Sequence, residues 1–308
     1  MANLKDIKTR MQSVQNTGKI TRAMKMVAAA KVKKAESAVK AARPFAEELV
    51  SVFKRMIKTV NGEFSIENLK VKHSIDNYPA LLSTREINTV GLLVMTSNKG
   101  LAGSYNANVI RKTVSRIKSY NADNKKVILF VVGQNGYLSL KNKIDGMNCE
   151  IANSYVSVAN EVTAIGAGII AEDMADYYVN EKIDKIEIIT TRFKNMMSYS
   201  VQDWEVLPIS DEITDTSNTH AMDSLMIFQP NVHGILQKIV PMYISNIIFQ
   251  ALLEAQASEL ASRMTAMSAA SNNADEMIQS LSIDYNKARQ WAITQELVEI
   301  VSGANALN

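Results

Sequence analysis

One cysteine, Cys149, stands in the whole chain, which excludes an internal disulfide framework and a cysteine-based zinc site and fits a reducing compartment. The three histidines, His73, His220 and His233, are scattered without neighbouring ligand candidates, so no metal site is expected. Twelve glycines and five prolines are too few for a loop-rich fold, and aromatic residues are sparse. Such a composition favours long helices, and the length allows one to three domains. The first residues, MANLKDIKTRMQ, lack the apolar core of a signal peptide. The most apolar stretch, 239–253, is interrupted by Pro241, Ser245, Asn246 and Gln250. It falls short of the roughly 20 residues a spanning helix needs, so a membrane link is expected to run through a partner.

Chemistry is equally hard to find. The segments 97–104 (SNKGLAGS) and 133–136 (GQNG) each follow an apolar run and contain glycine. Neither fits the phosphate-loop or the dinucleotide pattern, and they read as turn glycines. No Gly-x-Ser-x-Gly elbow occurs. Glu172 and Asp173 read as a solvated helix face, and the 16 methionines follow helical spacing as core filler. No catalytic residue, cofactor site or metal site is predicted.

What is present is periodicity. Alternating steps of three and four residues from Leu4 reach Ile7, Met11, Val14, Gly18, Thr21, Lys25, Ala28, Val32, Ala35, Val39, Ala42, Ala46, Leu49, Phe53, Met56 and Val60. Only Gly18, Thr21 and Lys25 break the apolar stripe. One heptad frame over that length predicts a coiled-coil helix of roughly 85 Å. Pro44 falls inside it without shifting the frame, which predicts a kink and not a stop. The same stepping from Leu253 reaches Ala257, Leu260, Met264, Met267, Ser271, Ala274, Ile278, Leu281, Tyr285, Ala288, Ala292 and Gln295, with Ser271 and Gln295 the only polar members. This second helix reaches roughly 105 Å and kinks near Pro241. Each helix exposes one greasy stripe, and antiparallel pairing of the two covers both.

Between the helices the rhythm changes. Residues 89–95 (TVGLLVM), 126–132 (KVILFVV) and 185–191 (KIEIITT) read as short buried strands. Helical stretches over 104–120, 134–141 and 160–181 separate them, and 198–208 adds an edge strand. The predicted fold is an α/β middle domain with a mostly parallel, Rossmann-like sheet plus a long antiparallel coiled coil. The predicted parts are a helix over 1–60, a linker over 61–85, an α/β domain over 86–228 and a helix over 229–308. Residues 210–223 form an acidic loop before the last part.

The first 60 residues carry 14 Lys and Arg against 4 Asp and Glu, a net of +10, whereas the whole chain carries +3. A basic element of that kind meets an acidic partner, nucleic acid or a membrane surface. Where the heptad stripe breaks, a second apolar stripe of Ile20, Ala23, Met24 and Val27 runs on another face, amid Lys19, Arg22, Lys25, Lys31, Lys33 and Lys34. This zone serves a second partner or forms a solvated basic face; the residues alone leave both open. At the other end, Leu297, Val298, Ile300 and Val301 cover nearly every side of the helix within five residues. A helix apolar all round is normally buried all round, and one partner helix cannot do that.

The segment LKDIKTRMQSVQNTGKITRAMKMVAAAKVKKAE and the later ARPFAEEL closely resemble the start of ATP synthase gamma subunits. TSNKGLAGSYN resembles that family's loop after the first middle-domain strand. EAQASELASRMTAMSAASNNADEMI and YNKARQWAITQELVEIVSGANA resemble its closing signature, with Ile293, Thr294, Glu296, Glu299, Gly303 and Ala304 at the signature spacing.

The resemblance implies a rotor shaft within a ring of alpha and beta subunits. The middle domain would rest on an epsilon subunit and a membrane c-ring that carries H+ or Na+. Catalytic residues and nucleotide would belong to beta, so the chain by itself is not an enzyme and holds no cofactor. Arg289, Gln290, Thr294 and Glu296 would form an upper bearing, with Leu297, Val298, Ile300 and Val301 in an apolar sleeve. Lys19, Arg22, Met24 and Lys25 would face acidic levers of beta. The location would be peripheral, on the cytoplasmic face of a bacterial cell membrane. The linker is longer than in short bacterial forms, Met226-Ile227-Phe228 replaces a more aromatic stretch, and the cysteine pair of the light-regulated form is absent. Thiol switching is therefore not expected. A basic coiled-coil nucleic-acid-binding protein is the main alternative, and a small α/β enzyme with helical arms is a second.

Overall fold

The computed structural model describes residues 4–60, 78–82, 85–208 and 232–306. The chain forms two compact units. A helical unit draws on the two chain ends, up to Ala30 and from Arg263, and an α/β unit runs Lys31–Ser262.

The α/β unit is organised around two central strands, TVGLLVM and KVILFVV, with almost no polar side chains. β1 (Thr89–Met95), β2 (Lys126–Val132), β3 (Cys149–Tyr155), β4 (Lys185–Asn195) and β5 (Ser198–Leu207) form one sheet in the order β3-β2-β1-β4-β5. β1 to β4 are parallel and β5 pairs antiparallel with β4. Successive side chains of a strand point to opposite faces, so a strand apolar throughout needs cover on both. Val90, Leu92 and Val94 pack under α3 (Tyr105–Ala122), against Tyr105, Val109 and Ile117, with Leu140 of α4 (Gln134–Lys143) in the same core. Leu93, Met95 and Phe130 on the reverse face pack against Ile170, Met174 and Tyr178 of α6 (Ala164–Val179). Leu49 of α1 (Leu4–Val60) and Leu236, Val240 and Ile244 of α7 (Val232–Ala306) join that second core. By length and composition α7 is apolar enough to cross a membrane. Its most apolar stretch is nonetheless spent inside the unit, where Val240, Tyr243, Ile244, Ile248, Ala251 and Leu252 are buried.

Several expected bounds shift. β4 continues four residues beyond the expected end, to Asn195, as one arm of a hairpin with β5. The helix expected over 160–181 is the shorter α6, and a separate short helix, α5 (Val156–Asn160), precedes it. The break has a local cause: Thr163 is extended, and its hydroxyl accepts from the Gly166 amide at 3.1 Å, an N-cap that starts a new helix. A short helix, α2 (Tyr78–Leu82), lies inside the expected linker and buries Leu81. β3 was not expected at all. Its sequence, CEIANSY, lacks an apolar run because it is an edge strand and only half buried. The rest of the linker except Arg85, the acidic loop 210–223 and Met226-Ile227-Phe228 fall outside the described residues, as do His73 and His220 and the side chains of Phe53, Met56, Val60 and His233.

Both long helices run unbroken through their prolines, Pro44 and Pro241. Within the helical unit they pair antiparallel. Gly18 lies against Ala274, and the Thr21 and Ser271 hydroxyls hydrogen bond at 2.9 Å. Gly18, Thr21 and Ala28 are buried along with Met267, Ser271 and Ala274. Two of the three expected breaks in the stripe are therefore seam positions after all. Gly18 supplies close approach, and each polar hydroxyl satisfies the other. Within the α/β unit, α1 and α7 also meet, through Val32, Ala35 and Val39 with Leu253, Ala257 and Ala261.

A Cβ on Gly18 would stand 3.3 Å from the Ala274 Cβ, already tighter than ordinary contact. Gly18→Val should thus push the helices apart and lower stability by about 1–3 kcal/mol, as overpacking does. Thermal melting of the isolated chain reads this directly, and an unchanged melting curve would refute the close approach.

Candidate functional site

The antiparallel register determines what stays uncovered. With 18 opposite 274 and 21 opposite 271, each step up α7 is a step back along α1. The start of α1, Leu4, is reached opposite residue ~288, so α7 beyond that level has no partner among the described residues, and its last 18 residues rise ~27 Å past it. Leu297, Val298, Ile300 and Val301 are each more than half exposed, at 57, 58, 67 and 58%. Arg289, Gln290, Thr294 and Glu296 are exposed as well. The Thr294 hydroxyl donates back to the Gln290 carbonyl at 2.9 Å, and Gln295 donates to Glu299 at 3.0 Å. Two residues that the heptad count passed over belong to the same surface, Trp291 at 56% and Ile293 at 50% exposed. An exposed tryptophan within a run of open aliphatic side chains was the signal available for them. Trp291 and Val298 line a hollow of about 790 Å³ with Gln290 and Thr294.

The second candidate zone lies on α1. Ile20, Met26 and Val27 are exposed large apolar side chains, and Lys19 and Arg22 are exposed cations beside them. Met24 and Lys25 are half-buried at the seam margin. Lys31, Lys33 and Lys34, which belong to the α/β unit, are exposed too. Arg22 already has a partner, since its Nη2 donates to Asp275 at 2.9 Å with both side chains more than half exposed. An open pair of that kind is worth at most about 1 kcal/mol, so it can be exchanged for another acidic partner at little cost.

The glycine loops of the sheet are closed from within. The first amides of α4 are all occupied: Gln134 N–H donates to Asn98 Oδ1, Asn135 N–H to the Ser97 carbonyl and Gly136 N–H to Thr96 Oγ1. Gly133 has a φ of +92°, and a Cβ there would lie 2.4 Å from the Thr96 carbonyl oxygen. The glycines thus let two loops interlock, and the helix terminus that would hold a phosphate caps onto the β1 loop instead. Open α/β sheets bind ligands where the strand order reverses, here between β1 and β4. That place is taken by α7, whose Ser262 hydroxyl donates to the Ala102 carbonyl at 2.6 Å and whose Ala251 carbonyl accepts from Thr190 at 3.1 Å.

Asp173 is not on a solvated face. It accepts from the Tyr155 hydroxyl at 2.8 Å and from Asn153 at 3.3 Å. Cys149 is half-buried, and burial with the nearby Glu150 charge pushes its thiol up to about 12, away from thiolate chemistry. Among the described residues no group of three or more His, Cys, Asp and Glu could hold a metal ion.

Three buried carboxylates escaped the sequence reading. Glu187 of β4 is clasped by Arg116 and by the Tyr120 hydroxyl. Asp184 takes Arg85 together with the amides of Asn88 and Thr89. Glu254 of α7 takes Arg43. A glutamate in the middle of the apolar run KIEIITT was the visible sign of the first. These are structural charges, each paired and enclosed.

A family model described as ATP synthase matches residues 3–307. The chain is 39% identical over 330 residues to the ATP synthase gamma chain of Synechococcus sp. (strain JA-3-3Ab), covering all of both chains. It is 37% identical over 315 residues to that of Methylobacillus flagellatus, again with full coverage of both. Among solved structures it resembles a chain of the Tetrahymena thermophila mitochondrial ATP synthase central stalk and c-ring, with a TM-score of 0.57 and 25% identity over 82% of this chain and 99% of that one. A chain from the Euglena gracilis mitochondrial ATP synthase shares the fold, with a TM-score of 0.65 at 16% identity over 99% of this chain and 94% of the other.

Proposed function

This chain belongs to the ATP synthase gamma-chain family, and from that premise we propose that it is the central shaft of a rotary ATP synthase, turned by a membrane c-ring and acting on catalytic sites that lie in other subunits. The observation that carries the proposal is the apolar end of α7, open on every side and beyond the reach of α1. A surrounding sleeve of ring subunits supplies the cover that the described residues do not. Leu297, Val298, Ile300 and Val301 are its bearing surface, with Arg289, Gln290, Thr294 and Glu296 hydrogen bonding to the ring below it. Lys19, Arg22, Met24 and Lys25 meet an acidic surface of the beta subunit, and the +10 charge of the first 60 residues supports that. The α/β unit rests on epsilon and the c-ring, at the cytoplasmic face of the membrane. The nucleic-acid reading has no support from the relatives.

Turning such a shaft changes which beta subunit meets the basic flank. Moving one site from 1:99 to 99:1 between two states takes about 5.5 kcal/mol of bias. Differential packing and charge along α1 and α7 supply it. The deciding experiment purifies the complex through a tag on this chain and reconstitutes it in vesicles. One copy per six ring subunits is expected, with ATP-driven ion pumping that needs the chain. Reversing Arg22 and Lys25 to Glu is expected to lower the coupled ATPase rate while the isolated chain stays folded. Pumping without the chain, or ATP turnover by the purified chain alone, would overturn the shaft assignment.

A further inference from the structure

Glu254 has no solvent exposure. It lies on α7, and its partners lie on two other elements of the α/β unit. Arg43 of α1 donates through Nε to Oε1 at 2.9 Å and through Nη2 to Oε2 at 3.1 Å. The same Nη2 donates to the Phe193 carbonyl of β4 at 2.9 Å. The Phe193 amide in turn donates to Glu254 Oε2 at 2.7 Å, and Arg192 Nε stands 3.6 Å from Oε1. The bonds form a closed ring that runs from helix to helix, from helix to strand and back.

Burying a charge in this way is a poor route to stability, since apolar side chains of similar volume do as well or better. What the ring has and apolar packing lacks is direction. Apolar faces can slide or roll past one another with little change in buried area. A two-pronged guanidinium–carboxylate pair holds at one rotation and one height only. Around it the two helices are otherwise joined to the sheet mostly by apolar contacts, such as Val39, Leu253 and Phe193.

The geometry points to Arg43 and Glu254 as positioning residues that key α1 and α7 to the sheet against twisting. The inference rests on the shaft reading above. Torque that enters through the α/β unit reaches the helices through their contacts with the sheet, and this ring is the directional one that ties both helices to it, beside the single Thr190–Ala251 hydrogen bond on α7. Loss of the key lets the helices yield under load while the catalytic ring continues to turn over.

The test uses the complete complex in vesicles, with Arg43→Met, Glu254→Gln and the milder Arg43→Lys, which keeps the charge but has no fork to span both Glu254 and Phe193. Assembly and ATP hydrolysis should stay within about twofold of the parent, while ions pumped per ATP fall about fivefold in the first two variants and less in Arg43→Lys. An unchanged pumping-to-hydrolysis ratio in the assembled variants would overturn the key. So would a parallel loss of hydrolysis and pumping, which marks a purely structural role. Should Arg43→Met and Glu254→Gln fail to assemble, the ratio in Arg43→Lys decides in the same way. A parent complex that pumps normally beside unaffected variants refutes only the key; a parent complex whose pumping does not depend on this chain refutes the shaft reading itself.

Discussion

Arg116→Met is expected to destabilise the α/β unit by about 3–5 kcal/mol, the usual cost of leaving a buried charge without its partner. Glu187 is fully buried in β4. Arg116 holds both of its oxygens, at 2.7 and 3.1 Å, and only the Tyr120 hydroxyl and a more distant Lys185 ammonium at 3.9 Å would remain. For a unit of this size each kcal/mol lowers the melting temperature by about 2–4 °C, so a fall of roughly 6–20 °C is expected. Arg116→Met combined with Glu187→Leu should recover much of the loss, because it removes the charge as well as its partner. The open pair Arg22–Asp275 gives the contrast, since Arg22→Ala should cost at most about 1 kcal/mol. Calorimetry of the three variants separates these outcomes, and equal melting of Arg116→Met and the parent would show that Glu187 is not held as described. Tyr120 adds a pH signature. Burial and Glu187 raise its hydroxyl pKa, so the folded state keeps a proton that the unfolded state loses. Its contribution is complete below about pH 10 and declines as the pH rises past that value.

Replacing Leu297 and Ile300 by Asp should leave the isolated chain as stable as the parent and yet release it from the ring. Both side chains are mostly open here, at 57 and 67% exposure, so little internal contact is lost. Full burial of an aliphatic side chain is worth about 1.5–3 kcal/mol, and two of them make about 3–6 kcal/mol of binding. That corresponds to two to four powers of ten in the association constant, at about 1.4 kcal/mol per power of ten. The added carboxylates would have to be buried without partners, which enlarges the effect. Removing residues 301–308 is milder and should weaken assembly while leaving measurable ATP hydrolysis linked to rotation. Gel filtration with the ring subunits, beside melting of the free chain, provides both readouts. Normal assembly by the double Asp variant, with the tip reactive to a solvent probe in the complex, would mean that no sleeve encloses this end.

The seam was legible because a heptad stripe records burial directly: Ala28, Val32, Ala35 and Val39 on one helix and Ala257, Met267 and Ala274 on the other are all buried. β1 and β2 have the expected bounds because strands covered on both faces are apolar throughout. β3 was missed because an edge strand need not be, and the start of α6 was placed four residues early because a single threonine cap weighs little against helical spacing. The tip was legible for the opposite reason: the sequence shows apolar residues on more sides than one partner can cover.

The sequence by itself therefore determined the long paired helices, the parallel sheet, the excess of apolar surface at the end of α7 and the basic start of α1. All of these are properties of nearest neighbours along the chain, repeated at a regular period. Only the tertiary structure decided which group answers which. Thr21 meets Ser271, Arg116 meets Glu187, and Arg43 meets Glu254 across separations of 250, 71 and 211 residues. A polar residue in an apolar pattern shows that a partner must exist, because an unpaired buried charge is too costly. It does not say where along the chain the partner lies, since any distant cation or hydroxyl satisfies it equally until the fold brings one within 3 Å.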